Sequence, residues 1–325
     1  MKAIVCKTHG SPENLVMEDI PEPEITKDQV LIDVHCAGIN FPDTLIIQNL
    51  YQHKPDLPFV PGTEVSGVAV EVGENVKHIS VGQEVIGFNL VGAFAEKMAS
   101  IGSMTFPKPK NLSMAQAAGF SMIYFTSLYA LKNRGRLREG ETVLVLGASG
   151  GVGMSCVEIA KIMGAKVIAA GGDDNKLEIC NNFGADYIIN YKTESLIDKV
   201  KEYTGGKGAD VIYDPVGGDM FDKAIRVMNW DCRYLVIGFA SGRIPDFPIN
   251  RALIKNSSIV GVFWGASMEK EPKANRDNLQ QLMQWVEEKK LNPYVHAEVP
   301  LAETAKGLQM LLDREVVGKV VVKVK

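Results

Sequence analysis

The chain has 325 residues, of which 46% are hydrophobic and 23% charged, and its formal net charge is −4 at pH 7. This length favours two domains, because one hydrophobic core rarely serves so long a chain. The acidic balance argues against nucleic acid as a partner. Five scattered cysteines favour a reducing compartment over a disulfide framework. With no apolar run near the roughly 20 residues of a membrane helix and no signal sequence after Met1, we expect a cytoplasmic protein without membrane contact.

Short predicted strands, separated by turns that contain proline and glycine, dominate the chain up to about Phe106. They are Ala3–Cys6, Gln29–Cys36, Ser66–Val72, Glu84–Phe88 and Ala93–Lys97. This pattern predicts a partly open β-barrel. Ser113 is a plausible N-cap for a helix that continues through Leu131 and leads into the next domain.

The middle of the chain begins with an apolar strand, Thr142–Leu146, and the glycine-rich turn Gly147-Ala-Ser-Gly-Gly-Val-Gly153. Apolar residues then recur at helical spacing. A turn of this kind before a helix binds pyrophosphate through free N–H groups and the helix dipole. Further predicted strands are Lys166–Ala170, Tyr187–Asn190, Ala209–Asp214, Tyr234–Gly238 and Ile259–Phe263. The alternation with helices predicts a doubly wound parallel sheet, an α/β fold with a dinucleotide site.

The pattern changes again after Phe263. Apolar residues at helical spacing between Leu279 and Val286 predict one amphipathic helix, and Ala302–Leu312 predicts another. The strands Val295–Val299 and Gly318–Val324 are expected to return to the first domain. We therefore predict a discontinuous barrel domain at 1–117 and 264–325 and a nucleotide-binding domain at 118–263.

This arrangement resembles the medium-chain dehydrogenase/reductase superfamily, with its GroES-like barrel and Rossmann domain, over essentially the whole chain. Particular segments look like its zinc-lacking quinone oxidoreductase branch. They are Ala37–Asp43, Pro61–Gly67, Gly147–Gly153, Asn190-Tyr191-Lys192 and Tyr213–Gly218. In the zinc-dependent alcohol dehydrogenases, a cysteine and a histidine ligand match Asn40 and Thr63, neither of which ligates zinc well. The resemblance implies hydride transfer without a metal to an electrophilic acceptor, a quinone or an α,β-unsaturated carbonyl.

Three residues are candidates for catalysis. Asn40 follows a long apolar strand, where its amide could bind a carbonyl oxygen or the nicotinamide ribose, or form an Asx turn. Asp43 could orient the site or simply begin a helix. Tyr51 could donate a proton or stack on a flat acceptor, although a surface role fits equally well. Related quinone reductases often carry a tyrosine where Leu45 stands, which leaves the proton donor open.

The cofactor is predicted to be NADPH. NAD enzymes place an acidic residue at the end of the second strand, where this chain has Gly171. Lys176 and Tyr191 match residues that hold the 2′-phosphate in resembling reductases, and Thr126 matches a threonine near the nicotinamide carboxamide. Asp173 and Asp174 oppose this assignment unless they point outward or cap the next helix. Further predicted cofactor contacts are Ser149, Gly150, Gly151, Val152, Val216, Gly238, Phe239, Phe263 and Trp264.

Two other functions stay open. An enoyl-thioester reductase of the acryloyl-CoA kind shares the fold and the lack of metal, and Lys54, Arg243, Arg251 and Lys255 could meet CoA phosphates or be ordinary surface residues. A cofactor-binding protein with little catalysis is the second alternative, favoured by Leu45. The apolar sixth strand would leave an open sheet edge, so we expect a homodimer.

Overall fold

The computed structural model describes residues 1–325 and divides them into two compact units. The first unit comprises Met1–Met122 and Asn292–Lys325, and the second comprises Ile123–Leu291. The strands are β1 (Lys2–Cys6), β2 (Leu15–Asp19), β3 (Gln29–Ile39), β4 (Glu64–Val72), β5 (Glu84–Phe88), β6 (Lys97–Ile101), β7 (Phe106–Pro107), β8 (Thr142–Leu146), β9 (Lys166–Gly171), β10 (Tyr187–Asn190), β11 (Ala209–Asp214), β12 (Met228–Val236), β13 (Ser258–Gly261), β14 (Val295–Pro300) and β15 (Lys319–Lys323). The helices are α1 (Phe41–Ile46), α2 (Met114–Ala118), α3 (Ser121–Leu128), α4 (Gly151–Ile162), α5 (Asp174–Asn182), α6 (Leu196–Tyr203), α7 (Gly218–Ala224), α8 (Asn250–Lys255), α9 (Trp264–Lys270), α10 (Pro272–Glu287) and α11 (Thr304–Leu312).

The first unit is built on a seven-stranded sheet in the order β14-β15-β3-β4-β5-β7, with β6 also paired to β3. Strands β1 and β2 form a separate antiparallel pair. The C-terminal strand β15 pairs antiparallel with the end of β3, so that Val320 lies opposite Ile39. This register brings Lys319 next to the residues that follow β3.

Two local predictions, one in this unit and one where the chain passes into the second unit, differ from the structure. The fifth predicted strand, Ala93–Lys97, is displaced, because β6 begins only at Lys97. The preceding residues bond elsewhere: Phe94 donates its N–H to Pro61 and accepts the N–H of Ile4. The helix predicted through Leu131 is divided at Gly119, which caps α2, and beyond α3 it continues as a π-helical turn, Tyr129–Arg134.

The second unit contains a six-stranded sheet in the order β10-β9-β8-β11-β12-β13, and every neighbouring pair is parallel. Its central strands are buried on both faces, as helices covering a parallel sheet require. The order reverses between β8 and β11, which is the place where such sheets bind ligands beyond the carboxyl ends of their strands. The predicted α/β fold class, a barrel-type domain with a doubly wound domain, is confirmed.

Residues 264–291, which the sequence assigned to the barrel domain, belong to the second unit in the structure. Side-chain contacts explain the difference. The Trp264 ring lies 5.4 Å from the Phe125 ring, centroid to centroid, and Asn278 donates a hydrogen bond of 2.8 Å to Asn133. No helix of the structure combines the length and the apolar character that crossing a bilayer would require.

Candidate functional site

The glycine-rich turn lies between β8 and α4 at the carboxyl edge of the second unit's sheet. Gly147 has φ +57°, a left-handed conformation that favours glycine. Gly153 has no room for a side chain, because a Cβ there would lie 2.3 Å from the carbonyl oxygen of Gly147. The first N–H groups of α4 have no partner within the helix, and the helix dipole is positive at this end. The turn can therefore bind a pyrophosphate through Ser149, Gly150, Gly151 and Val152.

A second loop packs against this turn. It follows β11, and a Cβ on Gly147 would lie 2.9 Å from the Val216 side chain. The buried carboxylate of Asp214 fixes the loop by accepting the N–H groups of Val216 and Gly217 at 2.8 and 2.9 Å. Its other oxygen accepts the hydroxyl of Tyr234 at 2.6 Å. Sequence reasoning missed both supporting residues, although Asp214 stands within the segment that carried the family resemblance.

Strand β9, the second strand of this unit in chain order, ends without an acidic side chain, as the choice of NADPH requires. Gly171 is buried, and a Cβ there would lie 2.9 Å from the Leu177 side chain. The two carboxylates that opposed the assignment have local partners. Asp173 accepts the N–H of Lys176 at 3.1 Å as the N-cap of α5, and Asp174 accepts a hydrogen bond of 2.8 Å from Asn190.

Hydroxyl groups connect α3 to the start of α4. The Ser127 hydroxyl lies 2.8 Å from that of Ser155 and 2.9 Å from that of Tyr213. Ser155 also donates to the carbonyl of Ile123 at 3.0 Å. Thr126, the predicted carboxamide contact, is the half-buried neighbour of Ser127 on the same helix. This network holds the helix that carries Thr126 against the helix that follows the glycine-rich turn.

The remaining predicted cofactor contacts have different environments. Phe239 is 37% exposed and lies beside Gly217, and Gly238 adjoins the carbonyl of Pro215. Phe263 is exposed at the end of β13. Trp264 requires a correction, because it is buried in the core and its indole N–H donates to Asn275 at 2.9 Å. It is a packing residue of the second unit rather than a pocket wall.

A buried polar cluster occupies the first unit at the end of β3. We call it the Lys319 cluster, and it consists of Asn40, Asp43, Glu64 and Lys319, all at least 96% buried. The ammonium of Lys319 donates to the Ile39 carbonyl at 2.7 Å, to Asn40 Oδ1 at 2.6 Å and to Glu64 Oε1 at 2.9 Å. All three donors of the ammonium are thus used.

The Lys319 cluster fixes the orientation of the Asn40 amide. Since Oδ1 accepts from Lys319, Nδ2 must be the atom that faces Glu64, to which it donates at 2.8 Å. A primary amide has two N–H donors, so one of them stays available. The second oxygen of Glu64 accepts the N–H of Met122 at 2.8 Å. The Asn40 amide is therefore held in one orientation, and the residue is at the same time the N-cap of α1 in a capping box with Asp43.

Asp43 begins α1 and accepts the backbone N–H of Asn40 at 2.7 Å. Its other oxygen is buried without a hydrogen-bond partner. Burial raises the pKa of this carboxyl to about 7, against smaller lowering effects of the Asn40 hydrogen bond and the Lys319 charge. Burial also raises the pKa of the half-buried Tyr51, and the nearby Asp43 adds to this rise. Asp43 and Tyr51 thus interact electrostatically, and with a pKa of about 7 the Asp43 carboxyl changes its protonation state near neutral pH.

The side chains of the first unit do not fit a zinc ion. The chain contains no group of three or more His, Cys, Asp and Glu side chains that could hold a metal. Lys319 brings a positive charge to 2.6 Å from Asn40, the position that a cysteine ligand occupies in zinc-dependent relatives. Thr63, at the matching histidine position, has a buried hydroxyl without a partner.

Comparison with known proteins places the chain in a family. Residues 26–110 match the alcohol dehydrogenase GroES-like domain, and residues 151–288 match the zinc-binding dehydrogenase family. The chain is 40% identical to a quinone oxidoreductase-like protein 2 homolog from Nematostella vectensis, over 100% of this chain and 89% of that protein.

Solved structures agree with this assignment. A probable oxidoreductase from Mycobacterium abscessus is 37% identical, with a TM-score of 0.90, over 100% of this chain and 99% of that one. The quinone oxidoreductase of Escherichia coli, solved in complex with NADPH, is 26% identical with a TM-score of 0.92 over 100% of both chains. The chain therefore belongs to the quinone oxidoreductase branch of the medium-chain dehydrogenase/reductase superfamily.

Proposed function

We propose that this protein is an NADPH-dependent, zinc-independent reductase that transfers a hydride to a quinone or an α,β-unsaturated carbonyl compound. The observation that carries the proposal is the glycine-rich turn at the start of α4, together with the next strand, β9, which ends without an acidic residue. The likeness to an Escherichia coli quinone oxidoreductase complexed with NADPH supports it. The bound nicotinamide would supply the hydride, and the chain's own residues would bind the cofactor and the acceptor and orient them toward each other.

In this proposal the pyrophosphate is held by Ser149, Gly150, Gly151 and Val152. Gly171, Lys176 and Tyr191 surround the 2′-phosphate. Thr126, Val216, Gly238, Phe239 and Phe263 contact the nicotinamide half of the cofactor. The local partners of Asp173 and Asp174 support the choice of NADPH, since the Asp173 side chain caps α5 and the Asp174 side chain is tied to Asn190.

Replacing Lys176 with alanine should lower kcat/KM for NADPH roughly 10–150-fold and leave that for NADH nearly unchanged. The reason is the loss of one charge-assisted contact worth about 1.5–3 kcal/mol. Lys166→Ala is the matched control, because that lysine is exposed and lies at the amino end of β9, the end opposite to Gly171. Equal losses for both cofactors in Lys176→Ala would argue against a 2′-phosphate contact.

Asn40 is proposed to bind the acceptor oxygen through its available N–H while negative charge grows there. Asn40→Ala should then lower turnover roughly 10–100-fold, less than the loss of a complete oxyanion hole. Asn75→Ala, an exposed amide in the same unit, controls for a general effect of losing an asparagine. Unchanged kinetics in Asn40→Ala would remove Asn40 from the site.

Asp43 and Tyr51 are proposed to deliver or relay the final proton, because the two groups interact electrostatically and both have raised pKa values.

An acceptor screen followed at the nicotinamide absorbance tests the reaction itself. We expect turnover with simple quinones or enones. Faster turnover with a short enoyl-CoA would favour the enoyl-thioester reductase, the alternative in which basic surface residues bind CoA. Cofactor oxidation at the background rate across the whole panel would favour a cofactor-binding protein with little catalysis.

We propose that the protein is a homodimer that pairs through β13. This strand is at the edge of its sheet, and the segment that precedes it in the chain carries exposed apolar side chains, with Ile244, Ile249 and Leu253 72%, 82% and 84% exposed. Open edges and apolar surfaces of this kind tend to be covered by a partner. Sedimentation at micromolar concentration should give twice the chain mass of 35.5 kDa. Leu253→Asp should shift the species toward monomer, whereas a wild-type monomer would contradict the proposal.

A further inference from the structure

Beside the end of β9 lies Lys192, a cation to which the sequence analysis gave no role of its own. A Cβ placed on Gly172, the residue after β9, would lie 3.0 Å from Cε of Lys192 and 3.1 Å from the Tyr191 ring. The Lys192 side chain therefore passes close over Gly172. Lys192 is exposed, and its ammonium forms neither an ion pair nor a hydrogen bond within the chain.

A well-defined turn brings Lys192 to this place. Strand β10 runs parallel to β9 with Asn190 opposite Gly171, so that the next residues emerge beside Gly172. The Asn190 side-chain oxygen accepts the N–H of Lys192 at 3.0 Å, and its carbonyl accepts the N–H of Glu194 at 2.8 Å. The backbone position of Lys192 is consequently fixed by the turn and does not depend on a ligand.

The same asparagine also bonds to one of the carboxylates around the turn, Asp174. Asn190 Nδ2 donates to Asp174 at 2.8 Å, and the Glu194 carboxylate lies 3.7 Å from the ammonium of Lys199 and accepts the N–H of Asn190. The acidic groups around the turn are thus engaged with other partners. Lys192 is left as a cation without a counter-ion beside the strand end where a dinucleotide's adenosine ribose lies.

We propose that Lys192 is a further specificity-determining residue, which contacts the 2′-phosphate of NADPH and which Asn190 positions. This inference rests on the proposed function, because it takes the end of β9 as the adenosine ribose site. Lys192 adds a second cation to the one expected from Lys176, and a flexible ammonium suits a compact, doubly charged phosphate. Because the contact is exposed, we expect it to be partly screened by salt.

The test is direct binding, measured by calorimetry with adenosine 2′,5′-bisphosphate and with adenosine 5′-monophosphate. Lys192→Met keeps most of the side-chain length and removes the charge, and it should weaken binding of the bisphosphate about 10-fold, as loss of one charge-assisted contact would. Binding of the monophosphate should not change. Lys192→Arg should restore most of the affinity. Lys207→Met is the matched control, since Lys207 is exposed just before β11 at the opposite edge of the sheet.

The outcomes separate this inference from the proposed function. If the wild-type protein prefers the bisphosphate and Lys192→Met binds it as tightly, the role of Lys192 is refuted and the choice of NADPH stands. Equal losses for both nucleotides would also refute it, because they would indicate a disturbed loop. If the wild-type protein binds both nucleotides equally, the choice of NADPH itself fails and the role of Lys192 fails with it.

Discussion

Replacing Gly153 with alanine is expected to reduce NADP⁺ affinity roughly 100-fold or more. A Cβ at this position would lie 2.3 Å from the Gly147 carbonyl oxygen and 2.8 Å from backbone atoms of Ala148. These neighbours are backbone atoms of the same turn, so no side-chain rotation can relieve the clash. The start of α4 must therefore move away, and the N–H groups that face the pyrophosphate move with it. Two lost charge-assisted hydrogen bonds, at about 1.5–3 kcal/mol each, account for the expected loss.

Calorimetric titration with NADP⁺ measures this effect, and thermal unfolding shows whether the variant is folded. Lys161→Ala is the control on the same helix, since this exposed residue lies near the C-terminal end of α4, far from the glycine-rich turn. The control should bind as the wild type does. A folded Gly153→Ala protein with unchanged affinity would show that the turn does not form the pyrophosphate site.

Replacing Lys319 with methionine is expected to destabilise the protein by about 3–5 kcal/mol, because it leaves the Glu64 charge buried without its partner. Glu64 is fully buried, and Lys319 is 3% exposed. The ammonium also holds Asn40 Oδ1 and the Ile39 carbonyl, both of which would lose a donor. The expected loss of stability is large because a carboxylate buried without a partner keeps the full cost of its removal from water, which the ion pair with Lys319 otherwise offsets.

Urea unfolding, followed by circular dichroism, measures the change in stability. Lys323→Met lies on the same strand, β15, and its exposed side chain should make that variant equivalent to the wild type within about 0.5 kcal/mol. A Lys319→Met protein that fails to fold agrees with the expected loss. If its urea midpoint equals that of Lys323→Met, the Lys319 cluster does not stabilise the first unit.

The doubly wound sheet could be predicted closely from the sequence. Most of its strands are apolar runs near glycine-bearing turns, because a parallel sheet is buried on both faces. The exception is β12, which begins at Met228, well before the predicted start at Tyr234. Tyr187–Asn190 and Ala209–Asp214 have the predicted bounds. The barrel strands are partly exposed and take their bounds from distant partners. Ala93–Lys97 was misplaced for this reason, since the backbone of Phe94 pairs with Pro61 and Ile4 instead of forming a regular strand.

The candidate site could be predicted only in part, for a related physical reason. A glycine-rich turn is local, so its residues stand together in the sequence. The residues that support the site come from distant segments. Lys319 reaches Asn40 across 279 positions and Glu64 across 255, and no local pattern indicates that contact. Gly38 and Gly119 are a weak sequence signal of this contact. A Cβ on Gly38 would lie 2.6 Å from Glu64 Oε1, and a Cβ on Gly119 would lie 3.1 Å from Lys319 Cε.

The central claim is tested most directly by kcat/KM for NADPH and for NADH with one simple quinone, before and after treatment of the protein with a zinc chelator. We predict that NADPH is favoured at least about 10-fold, which corresponds to about 1.4 kcal/mol, and that chelation changes neither value. A preference for NADH, or activity that chelation abolishes and added zinc restores, would contradict the account.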